Sequence, residues 1–519
     1  MEFMAEGAKS GFRRWLKVLV VCLLILAAPV LYWLWCDHRA NSTLQAELDA
    51  VKAAGDPIDF HDLAAQPIPD EENAAELYKQ AVAGPLLGGP ALSDESQEAR
   101  LKRWSEMLHY LPSHRKFRAE HAEDVKQILA VSRGTLGLCR RARGLGRSDW
   151  KLNYSGPAIS LTLPSLAHQR QLCRLLCTAA LAAHEAGDDA EAVEYVRDML
   201  ALARSLDSEP VLIHNLVALA IDSTAYSAVE QISPQLRAGG RPPAATRKQV
   251  EALIRELLDE RAVRQGLAWG LIGERSFCYD TCQRFSSGQL SLAGLSSSSS
   301  PAQPVAEGLY RTIFRPVLRR DTARLLRRAG ARVRAARQGS FPAASKQLPV
   351  PTPATSFMQR FQQPLSLVIE PSLSRIFVLH FRGLATRRMA AVALAVRLYE
   401  LDCGRRPEKL EQLVPKYLPA VPADPFAEDG RKITYLPKAK HPLLYSVNLN
   451  GKDDGGGYGL HESGSVDPQA GDLIFFLNGD RPEGKCDWQE PPPPQTQMAP
   501  PLSPAGQAPP PPPAAQEVE

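Results

Sequence analysis

The 519-residue chain has none of the compact motifs that mark many catalytic folds. It has no Gly-x-Ser-x-Gly elbow, no Walker loop, no His-Glu-x-x-His and no dinucleotide fingerprint. That excludes nucleophiles, phosphate cradles and zinc sites carried by a local motif. It leaves open a site assembled from distant residues. The excess of basic over acidic residues is only +4, too small to call for a nucleic-acid partner, so none is expected. Nine cysteines, odd in number and scattered, form no disulfide framework. The eleven histidines are dispersed, and His109, His114 and His121 share one helical region without metal-ligand spacing. No register of successive repeats is found, although a stable array needs at least three.

Arg13, Arg14 and Lys17 precede an uncharged apolar run over 18–36. The run is long enough to cross a bilayer, which takes about 20 residues. Tyr32, Trp33 and Trp35 at its far end suit an interfacial belt. No small-x-small cleavage site follows, and the run is long for a signal peptide. Trp35 before Cys36 excludes a lipoprotein site. The run is therefore read as an uncleaved transmembrane helix whose partner is the lipid bilayer. Residues 1–17 are expected in the cytoplasm and everything after Asp37 outside it.

Beyond the anchor, 37–69 reads as a linker with one short helix, ended near Gly55-Asp56-Pro57. Residues 70–285 read as a mainly α-helical domain, a bundle or short solenoid, with Asp70 as the expected cap of its first helix. Its clearest elements are a helix pair, Ser165 to Gly187 and Ala190 to Leu206, joined by a Gly-Asp-Asp turn and similar to one tetratricopeptide-like hairpin. A third helix runs from Val211 to about Ile232. It is apolar enough to raise a second membrane span, but His214, Asn215 and Asp222 argue for burial in protein. A serine-rich linker covers 286–305, and 306–371 holds an arginine-rich helix followed by loop. The tail 491–519 is Pro-, Gln- and Ala-rich and cannot bury enough apolar surface to fold.

Residues 372–490 are the most specific part. Val392, Val396 and Tyr399, with Leu394, Leu398 and Leu401, predict a largely buried helix. Gly404 stops it, and Pro407 opens a short second helix to Tyr417. Ile433–Leu436, Leu443–Val447 and Leu473–Leu477 read as strands. The sum is α+β, a long helix on a small antiparallel sheet. Tyr399 and Leu398 are expected to cover the sheet at Tyr435 and Tyr445.

The blocks Leu398-Tyr399, Leu401 to Pro407, Val414 to Leu418, Pro422 to Phe426, and Tyr445-Ser446 before Asn450-Gly451-Lys452 resemble the globular half of the major, G-type pseudopilins of bacterial type II secretion. The resemblance covers about the last quarter before the tail. In that family the membrane helix runs straight into this domain, whereas here a long helical region intervenes. The prepilin cleavage pattern is also missing, because Leu16 stands where Glu is expected. What the resemblance implies is a pseudopilin-like module in the inner membrane of a bacterial envelope. It also implies a calcium ion in the 449–472 loop, with Asn450, Asp453, Asp454, Asp467 and Asp472 as ligands. Asn450 replaces an acid common in the family, which removes one charge. The competing reading of these residues is a set of turn formers.

Two further constellations stand out. Cys173 with Cys177, and Cys278 with Cys282, are each four apart on a helix face; two such helices can present four thiolates to zinc, join through a disulfide, or simply pack as core. The arginines from Arg315 to Arg334 allow contact with anionic lipid headgroups, or a solvated face whose alkyl stems cover apolar neighbours. Together these features predict a single-span envelope protein with a scaffolding or interaction role and protein partners in the envelope, beside a secretion or pilus-like assembly. The alternative is an envelope hydrolase whose site lies in the helical domain, which a cluster of polar residues in a helical cleft would favour.

Overall fold

A computed structural model describes residues 2–89, 94–163, 166–240, 243–291, 303–350, 356–369 and 373–490. The serine run and the tail after 490 lie outside them. The first helix, Glu2–Ala53, carries the apolar run and does not end with it. Leu24, Ile25, Leu26 and Leu31 are all about two-thirds exposed, so among the described residues no protein covers this part of the run. This helix is long and apolar enough to cross a membrane.

The expected linker after residue 36 is instead a continuation of that helix, about five turns longer and ending at Ala53. Ala40, Leu48 and Val51 are buried along it, and their 3.6-residue spacing gives it a core face. The neighbour is the helix Arg315–Ala336, which runs parallel to it. Asp37 accepts from Arg315 (2.7 Å) and Arg319 (2.8 Å), Glu47 pairs with Arg327 (2.7 Å), and Asp56 pairs with Arg337 (2.6 Å). Much of the basic face is therefore answered by acids of the stalk, a pairing that sequence proximity could not reveal.

The helical region begins one turn later than expected. Asn73, not Asp70, caps Ala74–Val82 by accepting from the Ala75 amide. Four helices follow on either side of Pro112: Glu95–Met107, Arg115–Glu120, Ala122–Val131 and Arg133–Leu145. Leu166–Glu185 and Asp189–Asp207 form the expected hairpin, followed by Leu212–Ile232. His214, Asn215 and Asp222 on this third helix are all buried in protein. Helix Arg247–Leu258, with its Thr246/Gln249 capping box, stops at Asp259, and Arg261–Ser287 starts afresh. The latter crosses the 207–212 turn at close quarters. A Cβ on Gly273 would lie 1.7 Å from the carbonyl oxygen of Pro210, so only glycine admits the crossing.

The expected long helix is Ser374–Cys403, ended by Gly404 in the left-handed region at φ 68°. It packs on the Leu212–Ile232 and Arg247–Leu258 helices and on the sheet. The second helix expected to Tyr417 is only a 3-10 turn, Leu410–Leu413. Five strands follow: β1 Thr434–Leu436, β2 Leu443–Ser446, β3 Tyr458–Leu460, β4 Val466–Gly471 and β5 Leu473–Phe476. β1, β2 and β5 form one antiparallel sheet in that order, and β3–β4 is a separate hairpin that strand propensity did not reveal. Side chains alternate across the sheet. Leu444 and Phe475 join Leu398 in the main core, with Tyr435 packed against it. Tyr445 points the other way, with Leu443, Ile474 and Phe476, toward Tyr458 of the hairpin. Leu398 thus covers the sheet as expected, while Tyr445 lies on the opposite face. One apolar cluster runs from Tyr78 and Trp150 through the helical hairpin to Phe475, so the sheet and the helical region share a core.

Candidate functional site

The Gly187 turn of the helical hairpin opens a cleft of about 380 Å³ against the segment after β5. Gly187 has φ 85°, a left-handed conformation that favours glycine, and the Arg237 guanidinium lies close against it. Asp188 caps the next helix through the Glu191 amide (3.1 Å). That leaves Asp189, buried, to accept from His184 Nδ1 (2.5 Å) and from the Arg237 backbone amide (3.0 Å) and Nε (2.8 Å). Burial pushes the Asp189 carboxyl up, but the His184 and Arg237 contacts outweigh it and hold the group below the ordinary carboxylate value. His184 is therefore oriented by a buried carboxylate while its ring lines the cleft.

Arg118 forms the opposite wall. It is 3% exposed and donates to Glu185 Oε1 from Nε (3.0 Å) and Nη2 (2.8 Å), and from Nη1 to the Leu111 carbonyl (2.6 Å). Its remaining partner, Gln231 Oε1, is 3.4 Å away. The Arg115 amide donates to Glu483 (3.1 Å), tying the C-terminal segment to the rim. Among the described residues the Arg115 guanidinium makes no hydrogen bond, so one exposed cation faces the opening uncommitted. Serine, threonine and cysteine are missing from the lining among the described residues.

The sheet is locked beside the cleft by Glu230. This buried acid accepts from the Phe476 amide (2.6 Å) and from Arg481 Nη2 (3.0 Å), and so closes the outer edge of β5.

A second polar cluster is wholly internal. Arg387 donates to the carbonyls of Leu257 (2.7 Å) and Asp259 (3.0 Å), to the carbonyl of Glu256, and to Tyr226 Oη (3.0 Å). It thereby closes the C-terminal end of the Arg247–Leu258 helix, whose last carbonyls have no partner within the helix. Asp222 lies 3.6 Å from it. Burial pushes Asp222 up, opposed by the Arg387 charge. His380 and His214 are fully buried and neither ring has a hydrogen-bond partner; burial pushes them down to about 3 and about 4.

The expected calcium ligands come together only in part. Asp453 accepts from Tyr445 Oη (2.8 Å) and pairs with Arg431 (2.8 Å). Asn450 donates to Asp454 (3.0 Å). Asp472 is buried and accepts from the Gly456 amide (2.8 Å), while its other oxygen has no partner. Burial pushes its carboxyl up, and Asp454 and Asp453 add to the rise. Asp467 instead caps its own turn at Gln469 (2.8 Å) and faces His461 (3.7 Å). Among the described residues no three acidic, cysteine or histidine side chains are disposed to share a metal ion.

The cysteine pairs do not meet. Cys173 and Cys177 belong to the main core, Cys282 to a small cluster with Phe285 and Leu318, and among the described residues there is no disulfide. Burial pushes Cys177 and Cys282 up to about 12, which favours the thiol and a core role.

No family model, curated protein or solved structure matches the chain.

Proposed function

We propose that this protein is a membrane-anchored envelope scaffold that seats an acidic segment of a partner protein in the cleft beside Gly187. The observation that carries the reading is the uncommitted Arg115 guanidinium at the rim, above a wall in which Arg118 and Arg237 are already held rigid by Glu185 and Asp189. Such a pre-ordered wall loses little conformational entropy when a ligand arrives, and the charge offered to a carboxylate is that of Arg115, because Glu185 and Asp189 balance Arg118 and Arg237. The orientation, N-terminus in the cytoplasm and bulk outside, follows from Arg13, Arg14 and Lys17. Placement in a bacterial inner membrane, beside a secretion or pilus-like assembly, follows from the pseudopilin-like blocks between Leu398 and Lys452. The calcium ion implied for Asn450, Asp453, Asp454, Asp467 and Asp472 belongs to the same reading; the unpartnered, buried Asp472 oxygen supports it, and the other acids would have to leave their present partners and turn toward that oxygen.

The test is binding of a short Asp/Glu-rich peptide to the full chain in detergent, read by fluorescence anisotropy. Arg115→Glu is expected to weaken it by about tenfold or more, near 1.4 kcal/mol, and added salt to weaken the wild type. Equal binding of a Lys-rich peptide, or no effect of Arg115→Glu, would rule the reading out.

A second reading, hydrolysis, is favoured by the His184–Asp189 pair. A histidine held by a buried carboxylate is suited to take a proton from water. Under that reading His184→Gln abolishes turnover and leaves peptide binding intact.

A further inference from the structure

The helix Gln303–Arg311 has its polarity reversed for a protein surface. Its acid, Glu307, is 4% exposed and is turned inward to Arg311 (3.0 Å). Val305 is 68% exposed, and Leu309 and Ile313, at four-residue steps from it, are also exposed. The short helix Phe357–Gln362 beside it carries Phe357, 83% exposed, and Met358. The two helices form one unit. Phe361 packs edge-on against Phe314 at 4.9 Å, and the Tyr310 hydroxyl donates to the Phe361 carbonyl (2.9 Å). The unit is fixed to the arginine helix by Asp321, which accepts from the Leu365 (2.8 Å) and Ser366 (3.0 Å) amides.

Its height is set by the anchor. Trp33 Nε1 donates to the Ile313 carbonyl (2.6 Å), and the Arg315 guanidinium lies 5.0 Å from the Trp33 ring. Trp33 belongs to the last turn of the apolar run, so Ile313 lies at the level where aromatic side chains meet lipid headgroups. Asp37, held by Arg315 and Arg319, marks the polar layer directly above.

We propose that residues 303–314 and 356–369 form a foot that rests in the outer interfacial layer of the bilayer, with Val305, Leu309, Ile313, Phe357 and Met358 inserted among the lipids. The inference rests on the reading that 18–36 crosses that bilayer. The occupant is lipid because the exposed apolar face is continuous, through the Trp33–Ile313 bond, with the exposed face of the span itself. Arginines lie directly behind it, where anionic headgroups would meet them. Two attachments, span and foot, hold the stalk at a fixed tilt, and the cleft stands at a set distance from the membrane.

The test uses the full chain in phosphatidylcholine–phosphatidylglycerol vesicles, with Cys22, Cys36, Cys403 and Cys486 replaced by Ser. An environment-sensitive fluorophore is placed in turn at Leu309→Cys, Phe357→Cys, Leu24→Cys in the span and Glu428→Cys far from it. Shallow spin-labelled lipids are expected to quench the Leu309 and Phe357 labels several-fold more than the Glu428 label, while aqueous iodide does the reverse. Deep spin-labelled lipids are expected to quench Leu24. If Leu24 is quenched and the foot labels respond only to iodide, the foot is wrong and the span stands. If Leu24 itself escapes lipid quenching, the span reading fails. Foot labels shielded from both quenchers would mean that protein, not lipid, covers this face, and would overturn the proposal.

Discussion

Replacing Arg387 with Met tests the reasoning about the internal cluster most severely. The guanidinium is 1% exposed and closes the end of the Arg247–Leu258 helix while balancing Asp222. Methionine keeps most of the volume, so the core stays filled and the cost isolates the polar contacts. Removing one partner of a buried charge pair costs about 3–5 kcal/mol, and hydrogen bonds to a charged donor contribute about 1.5–3 kcal/mol each. These contributions overlap, so the expected loss at neutral pH is about 4 kcal/mol. It should depend on pH. Asp222 already titrates above its unfolded value, so its charged form destabilises the fold above that raised pKa. As pH falls through it, the carboxyl takes up a proton and no longer needs Arg387. The gap between variant and wild type should therefore narrow in acid toward about 2 kcal/mol, the share owed to the helix carbonyls. The buried histidines affect both proteins alike and cancel. Denaturant unfolding of the full chain in detergent, followed by circular dichroism from pH 5 to pH 8, gives both numbers. The double variant Asp222→Asn/Arg387→Met should recover part of the loss at pH 8. A deficit below 1 kcal/mol, or one that does not vary with pH, would refute the assignment.

The neutral burial of His380 and His214 makes the fold acid-sensitive. Their folded values, about 3 and about 4, lie below the unfolded one, so stability present above about pH 6.5 is lost as pH falls, by up to about 1.4 kcal/mol per pH unit for each histidine. His380→Leu should roughly halve that slope in pH-dependent unfolding. Leu398→Ala, which empties the contact between the long helix and Leu444 and Phe475, should cost about 2–5 kcal/mol; a change within error would mean the helix docks elsewhere. Gly273→Ala should do more damage than its small volume suggests, because its Cβ would collide with the Pro210 carbonyl, and soluble yield and melting temperature would show it. If the 450–472 loop holds calcium, millimolar calcium should raise the melting temperature and Asp472→Ala should abolish the rise; an unchanged melting temperature would reduce the loop to a packing unit.

Periodicity and punctuation were enough for several elements, though not for the helix beyond residue 36, the 3-10 turn Leu410–Leu413 or the β3–β4 hairpin. The apolar run over 18–36, the helical hairpin around Gly187, the stop at Gly404 and the β-branched and aromatic strands all depend on neighbours within a few residues, so they can be read in order along the chain. The same local logic accounts for the burial of Asn215 and Asp222, since polar residues on so apolar a helix must find protein partners. It misplaced Tyr445, because β-strand alternation says which residues share a face but not which face meets the helix. Everything that joins distant residues was decided only by tertiary structure. Arginines 315, 319, 327 and 337 meet Asp37, Glu47 and Asp56 across nearly 300 positions, and charge at that separation carries no sequence pattern. His184 and Asp189 stand only five apart across a glycine turn, yet no local pattern singled out the pair, and the structure alone shows that they bond. Arg118, Arg237 and Glu483 reach the same cleft from three other parts of the chain, and only the shared core brings them there.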